Sequence, residues 1–239
     1  MRRLAVHVGL SLVAMLWLGA SSAFASPFGP TPYLQASDSP FASVNFLGGY
    51  FYLEDFEDHA LNTPGVSGSP GGVTSILFGS GYHDSVDADD GAIDGSGLRG
   101  DDWFDYGATV SFSFSAAILG ALPTHAGMVW TDGPFGTAVN FIAIGSDGVT
   151  TVCNITGSGF ANSSFNGETA EDRFFGCSDP GGISSMTMTN LSGGGIEIDH
   201  VQYGRAGSQA AVPEPASLVL LGSGLAVAAR EWRKKRQAR

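Results

Sequence analysis

Residues 108–116, "ATVSFSFSA", decide the fold class. Val110, Phe112 and Phe114 lie on one side of an extended chain and Ser111, Ser113 and Ser115 on the other, because successive side chains of a strand point to opposite faces. One apolar face and one hydroxyl face predict a strand whose sheet is packed on one side only. Further along, "AVNFIAIGSDGVTTV", residues 138–152, reads as two strands joined by the turn Ser146-Asp147-Gly148. More strands are expected over 44–53, 73–78, 127–131, 183–190 and 195–203. Helical periodicity is weak, and Gly, Ser, Asp and Asn punctuate the chain throughout. About eight or nine short strands with such turns predict an all-β domain, a β-sandwich of jelly-roll type.

The two ends read differently. Arg2 and Arg3 precede an apolar run from Leu4 to Ala20, and Ala23-Phe24-Ala25 presents small residues at the positions a signal peptidase reads. Cleavage after Ala25 is expected, making Ser26 the mature start; the competing reading is an uncleaved anchor. The expected organisation is a signal helix over 1–25, an irregular lead-in over 26–40, one β-sandwich over 41–207, and a sorting segment over 208–239.

Charge narrows the partners. Between 26 and 211 there is no lysine; Arg99, Arg173 and Arg205 stand against 21 acidic residues, a formal net charge of −18. Such a surface repels a phosphate backbone, so no nucleic acid is expected. Divalent cations and neutral sugars are the compatible small partners. Cys153 and Cys177 both lie in the exported part, where an oxidising compartment favours a disulfide.

The last part of the chain, "VPEPASLVLLGSGLAVAAREWRKKR" over 212–236, combines three elements. Pro213-Glu214-Pro215 is held stiff and extended, because each proline fixes its own φ and restrains the residue before it. The apolar run 216–229 is short: as a helix its 14 residues span about 21 Å, against a hydrocarbon core of roughly 30 Å. The basic tail 230–239 holds that end in the cytoplasm. The segment is expected to stop transiently in the inner membrane.

Val212, Pro213, Glu214 and Pro215, the following Ala-Ser-Leu that completes the motif at 212–218, and the Arg/Lys cluster resemble the PEP-CTERM sorting signal of exported proteins of Gram-negative bacteria. The resemblance implies recognition by an exosortase, a membrane-embedded cysteine protease or transpeptidase, and delivery to the cell surface or its exopolysaccharide. The stretches "DSVDADDGAIDGSG", "LGALPTHAGMVWTDG", "TAEDRFFG" and "GGIEIDHVQYG" resemble the body domain that often precedes such tails. That second resemblance implies an architecture and a location only.

Three further patterns bear on chemistry. Asp84, Asp87, Asp89, Asp90 and Asp94 gather hard oxygen ligands as a calcium loop requires, although Gly91 stands at the fifth position from Asp87 and no glutamate at the twelfth; the alternative is a solvated acidic loop. Glu54 and Asp55 with Asp199 could share a second calcium if the first and last strands are neighbours; the alternative is a charged edge that discourages aggregation. Glu197-Ile198-Asp199 resembles the Glu-x-Asp-x-x-Glu strand of certain β-sandwich glycosidases, but Gln202 occupies the third position and cannot donate the proton. His59, His83, His125 and His200 lack ligand spacing, and Trp103, Trp130 and Tyr203 are either core residues or sugar-stacking faces. The expected function is a non-enzymatic surface or matrix protein, structural or adhesive through polysaccharide. Calcium-dependent carbohydrate binding is the alternative, and a glucan-directed glycosidase the third.

Overall fold

The computed structural model describes residues 24–78, 83–86, 99–132, 138–159 and 172–207, with 232, 236 and 237. It divides into two units, residues 1–206 and 207–239. In the first unit the strands begin with β1 (Ser26–Pro32), β2 (Tyr50–Glu54), β3 (Val66–Ser69), β4 (Gly72–Val73), β5 (His83–Asp84), β6 (Arg99–Gly100) and β7 (Trp103–Asp105). They continue with β8 (Thr109–Phe114), β9 (His125–Asp132), β10 (Val139–Gly145), β11 (Thr151–Gly157), β12 (Arg173–Ser178), β13 (Ile183–Asn190) and β14 (Ile196–Arg205). Two single-turn helices, α1 (Thr74–Phe78) and α2 (Ala116–Leu119), and two 3₁₀ turns, Ala36–Asp38 and Pro40–Ser43, complete the described elements.

A seven-stranded sheet runs β1-β12-β9-β14-β7-β4, with β2 also pairing β14; a five-stranded sheet runs β11-β10-β13-β8-β3; β5 and β6 form a ribbon. All pairings are antiparallel. The protein is thus an all-β sandwich of two antiparallel sheets. This strand order does not itself establish the jelly-roll connection.

The alternation in β8 is realised as read. Val110, Phe112 and Phe114 are buried, and they meet Met186 and Met188 of β13 and Phe141 of β10 in the core between the sheets. Met128, Trp130, Ile198, Val201 and Tyr203 supply the opposing face. Trp103, Trp130 and Tyr203 are therefore core residues and offer no exposed stacking platform. Fully burying side chains of this size contributes roughly 1.5–3 kcal/mol each relative to exposure.

Three expectations are corrected. The strand expected over 44–53 begins only at Tyr50, as β2, because the chain before it turns, with Leu47 N donating to Asn45 Oδ1 (2.9 Å) and Gly49 N to Phe46 O (2.9 Å). Residues 26–40 are not an irregular lead-in throughout: Ser26–Pro32 is strand β1, pairing with β12 from Ser26↔Ser178 to Pro32↔Arg173. Its prolines, at 27, 30 and 32, obscured the pattern, yet they are compatible with a sheet edge, where one side of the strand needs no donor. Residues 73–78 are not one strand: only Val73 joins the ladder, and Thr74–Phe78 is helix α1. Thr74 turns the chain out of the sheet, donating its N–H to Asp102 O at 3.0 Å and its hydroxyl to Asp101 Oδ1 at 3.3 Å.

Cys153 of β11 and Cys177 of β12 form a disulfide joining the two sheets across a sequence separation of 24. Closing a loop of that length restricts the unfolded chain by about 3.5 kcal/mol in the chain-entropy description. Replacing both cysteines by alanine is expected to lower the stability of the exported protein by about 2–4 kcal/mol without changing the fold, read as a lower urea midpoint with unchanged far-ultraviolet circular dichroism.

Candidate functional site

Strand β14 gathers the polar residues that looked most like chemistry. Its core-facing side is Ile196, Ile198, Val201 and Tyr203. A register shift against β9 between Asp199 and Gln202 marks a bulge, with His200 at φ 42°, which turns both Asp199 and His200 away from that core. The outer side is enclosed as well: Glu197 is 5%, Asp199 0%, His200 0% and Gln202 1% exposed.

The segment after β1 supplies the cover. Tyr33, Phe41, Val86, Val129 and Phe174 form a second apolar cluster, with Tyr33 stacked on Phe174 at 5.9 Å and Phe41 edge-on to the same ring at 5.2 Å. A Cβ on Gly176 would lie 2.7 Å from Phe174 Cε1, so the ring settles there only over glycine.

Within that cover runs a chain of hydrogen bonds. Phe41 N donates to Ser39 Oγ (3.1 Å), which donates to Gln202 Oε1 (2.5 Å); Gln202 Nε2 donates to Tyr33 Oη (2.7 Å), which shares a hydrogen bond with His200 Nδ1 (2.9 Å). Asp199 accepts from Val86 N (2.9 Å) and from His200 N (2.6 Å). Glu197, Asp199 and Gln202 thus stand on a closed interface inside the domain, away from any solvent face a polymer could reach. Tyr33 and Ser39 were missed from sequence, since nothing local marks a tyrosine or serine for a strand some 165 residues away.

The calcium expectations meet two outcomes. Of the aspartate loop, Asp84 has its backbone in β5, whereas Asp87, Asp89, Asp90 and Asp94 lie outside the described residues. For the second site the topology is as required, since β2 and β14 are neighbours with Glu54 opposite Val201. The same carboxylates accept local hydrogen bonds. Glu54 Oε2 accepts from Asn62 N, Thr63 N and Thr63 Oγ1, each at 2.9 Å; Asp55 accepts from Glu57 N (3.3 Å). Among the described residues no group of three or more His, Cys, Asp or Glu is placed to hold a metal ion.

A neighbouring loop carries an exposed titrating group. His59, with φ 68°, hydrogen-bonds through Nδ1 to the buried carboxylate of Asp101. That bond, and then the carboxylate charge itself, raise the His59 pKa above its ordinary value. Glu57 ties the same loop down by accepting from Ser85 Oγ (2.7 Å) and Asp101 N (2.8 Å).

The outer face of the five-stranded sheet has a different character. Thr109 pairs with Thr189 (3.1 Å) and Ser111 with Thr187 (2.8 Å) through their hydroxyls. Asn140 Nδ2 donates to Asn154 Oδ1 (2.7 Å) and Thr156 Oγ1 (3.0 Å). The register aligns these side chains in rows across β8, β13, β10 and β11, and Ile142 and Ile144 are the apolar members. The serines opposite the phenylalanines of β8 already announced half of this face in the sequence.

The residues expected at the two cleavage sites lie mostly outside the described ones. Ala23 is outside the described residues; Ala25 packs on the core and Ser26 opens β1. Val212, Pro213, Glu214 and Pro215 and the apolar run 216–229 are outside them too. In the second unit, the Arg236 guanidinium lies 4.6 Å from the centroid of the Trp232 ring. Among the described residues no helix is long and apolar enough to cross a membrane.

Comparison with known proteins finds that residues 211–235 match the PEP-CTERM protein-sorting motif. None of the curated proteins matches the chain. Among solved structures, the enzymatically active domain of tailspike protein 4 from bacteriophage CBA120 is similar at a TM-score of 0.25 with 12% identity, over 73% of this chain and 22% of that one. The chain therefore spans less than a quarter of that structure's length. The sorting motif marks an exported protein processed by an exosortase and sorted to the cell envelope or surface.

The His59–Asp101 pair makes stability depend on pH. A histidine whose folded pKa is raised contributes its full increment below the unfolded value, and loses it as pH rises through the folded value. Asparagine tolerates the positive φ and lacks the charge. His59→Asn is therefore expected to lower the urea midpoint in mildly acidic buffer, with the gap from wild type closing in alkaline buffer; a pH-independent gap would contradict the ion pair.

Proposed function

We propose that this protein is a structural or adhesive component of the surface or exopolysaccharide matrix of a Gram-negative bacterium, released to that place when an exosortase cuts near Pro213. The observation that carries the reading is the match of residues 211–235 to the PEP-CTERM protein-sorting motif. Its physical logic is a thin apolar plug that detains the chain while a stiff Pro-Glu-Pro handle stands within reach of the membrane-embedded enzyme. A signal peptidase acts at the other end, after Ala25. The exported body, with no lysine and a formal charge of −18, suits a hydrated neutral matrix better than a polyanionic partner.

We propose further that the body is not an enzyme. Support comes from the enclosure of Glu197 and Asp199, whose carboxylates would have to flank a solvent-accessible glycosidic bond to act on one. Calcium-dependent carbohydrate binding is a second reading, favoured by the aspartate spacing of 84–94.

Glu214→Ala is expected to leave full-length product in the inner membrane, whereas the wild-type protein recovered from the surface should have an intact mass lacking the arginine-rich terminus. A surface-exposed wild-type protein that retained Arg239, or normal release of the variant, would sink the processing reading.

A further inference from the structure

We propose that the outer face of the five-stranded sheet binds a neutral polysaccharide, laid flat across its strands. This deepens the adhesive role proposed above and rests on it for the destination.

The first argument is charge. The domain is strongly acidic, yet the outward positions of β3, β8, β13, β10 and β11 that alternate with the core residues are serine, threonine, asparagine and isoleucine, without one ionisable side chain. A charged polymer finds nothing to pair with here, while a neutral one loses nothing to unpaired desolvated charge.

The second argument is chemistry and order. The paired hydroxyls of Thr109 with Thr189 and of Ser111 with Thr187 hold one another in place. Each pair keeps a free hydrogen and several lone pairs for a ligand. Asn140, bonded to both Asn154 and Thr156, extends the array to the β11 edge. These groups are ordered before binding, which lowers the entropic cost of association. Ile142 and Ile144 interrupt the rows with apolar patches. A glycan chain offers the matching surface, hydroxyls at its rim and C–H groups on its ring faces. Strands about 4.8 Å apart, with same-face residues about 6.7 Å apart along each, present donors and acceptors on a flat lattice rather than in a pocket. A small ligand enclosed by a cleft has no counterpart on such a plane; an extended polymer does.

The test is co-sedimentation of the protein recovered from the cell surface with three insoluble neutral polymers, a β-glucan, a mannan and a galactan, against alginate as the anionic comparison. At least one neutral polymer is expected to bind, with affinity little changed up to about 0.5 M NaCl, where exposed ionic contacts are screened. Thr187→Glu, which puts a carboxylate at the centre of the face, is expected to weaken that binding at least about tenfold. Asn154→Ala with Thr156→Ala, at exposed positions of the edge strand, is expected to weaken it roughly three- to tenfold while leaving the urea midpoint close to wild type. His59→Asn, in the loop that pairs with Asp101, should bind as wild type does. Binding to none of the neutral polymers, preference for alginate, or retention of full binding by both face variants would overturn the proposal. Its failure is separable from that of the sorting reading: a cut, surface-delivered protein that ignores neutral polymers refutes the face alone, whereas an uncut protein that binds them refutes the sorting alone.

Discussion

A strand buried on both sides must satisfy two different demands, and β14 is that strand here. Nine of its ten residues are buried. Its inner side needs apolar partners from the opposite sheet, while its outer side carries Glu197, Asp199, His200 and Gln202, each of which costs free energy in the interior unless hydrogen-bonded. The segment following β1 meets that demand for His200 and Gln202 by bringing Tyr33 and Ser39 over the strand beneath Phe41 and Phe174, while Val86 N and the backbone N–H of His200 meet it for Asp199. The bulge at His200 belongs to the same solution, since a strictly alternating strand would send either Asp199 or His200 into the apolar core. The strand that carries the Glu-x-Asp pair is thereby hydrogen-bonded and covered on its outer side.

An exported body with three arginines and no lysine cannot neutralise its carboxylates by ion pairs in the ordinary way. It turns them onto the backbone instead. Glu54 holds the turn at Asn62 and Thr63, Glu57 and Asp199 reach across to Asp101 and Val86, and Asp147 caps its own hairpin through Val149 and Thr150. Those hydrogen bonds, first from the Thr150 hydroxyl and then from backbone N–H groups, hold the Asp147 pKa down at about 2. The acidic character is thus partly architectural: carboxylates replace the missing cations as loop ties. The outward residues of the five-stranded sheet, by contrast, carry no ionisable side chain.

Local pattern was legible wherever one side chain period ran uninterrupted. The alternation at Val110, Phe112 and Phe114, the hairpin around Asp147, and the strands near 127–131, 183–190 and 195–203 all reappear as elements with the expected inward faces. Pattern failed where it was overwritten. Prolines disguised β1, whose place at an edge makes them acceptable, and the apolar run after Val73 left its ladder because Thr74 found partners at Asp101 and Asp102. The candidate carboxylates were identified correctly as unusual, but exposure and partners are tertiary properties, and a Glu-x-Asp pair reads the same on a solvent face and beneath a cover.

The amino-acid order alone determined the all-β class, the sorting motif and the excess of negative charge, because each depends on short-range periodicity, a short motif or composition. Only the folded chain decided that Glu197 and Asp199 are sealed, that Glu54 ties a loop, and that hydroxyls from β8 and β13 meet in paired rows. Each of those facts requires residues far apart in sequence to share a few ångströms of space, and no local pattern encodes which distant segment will arrive there.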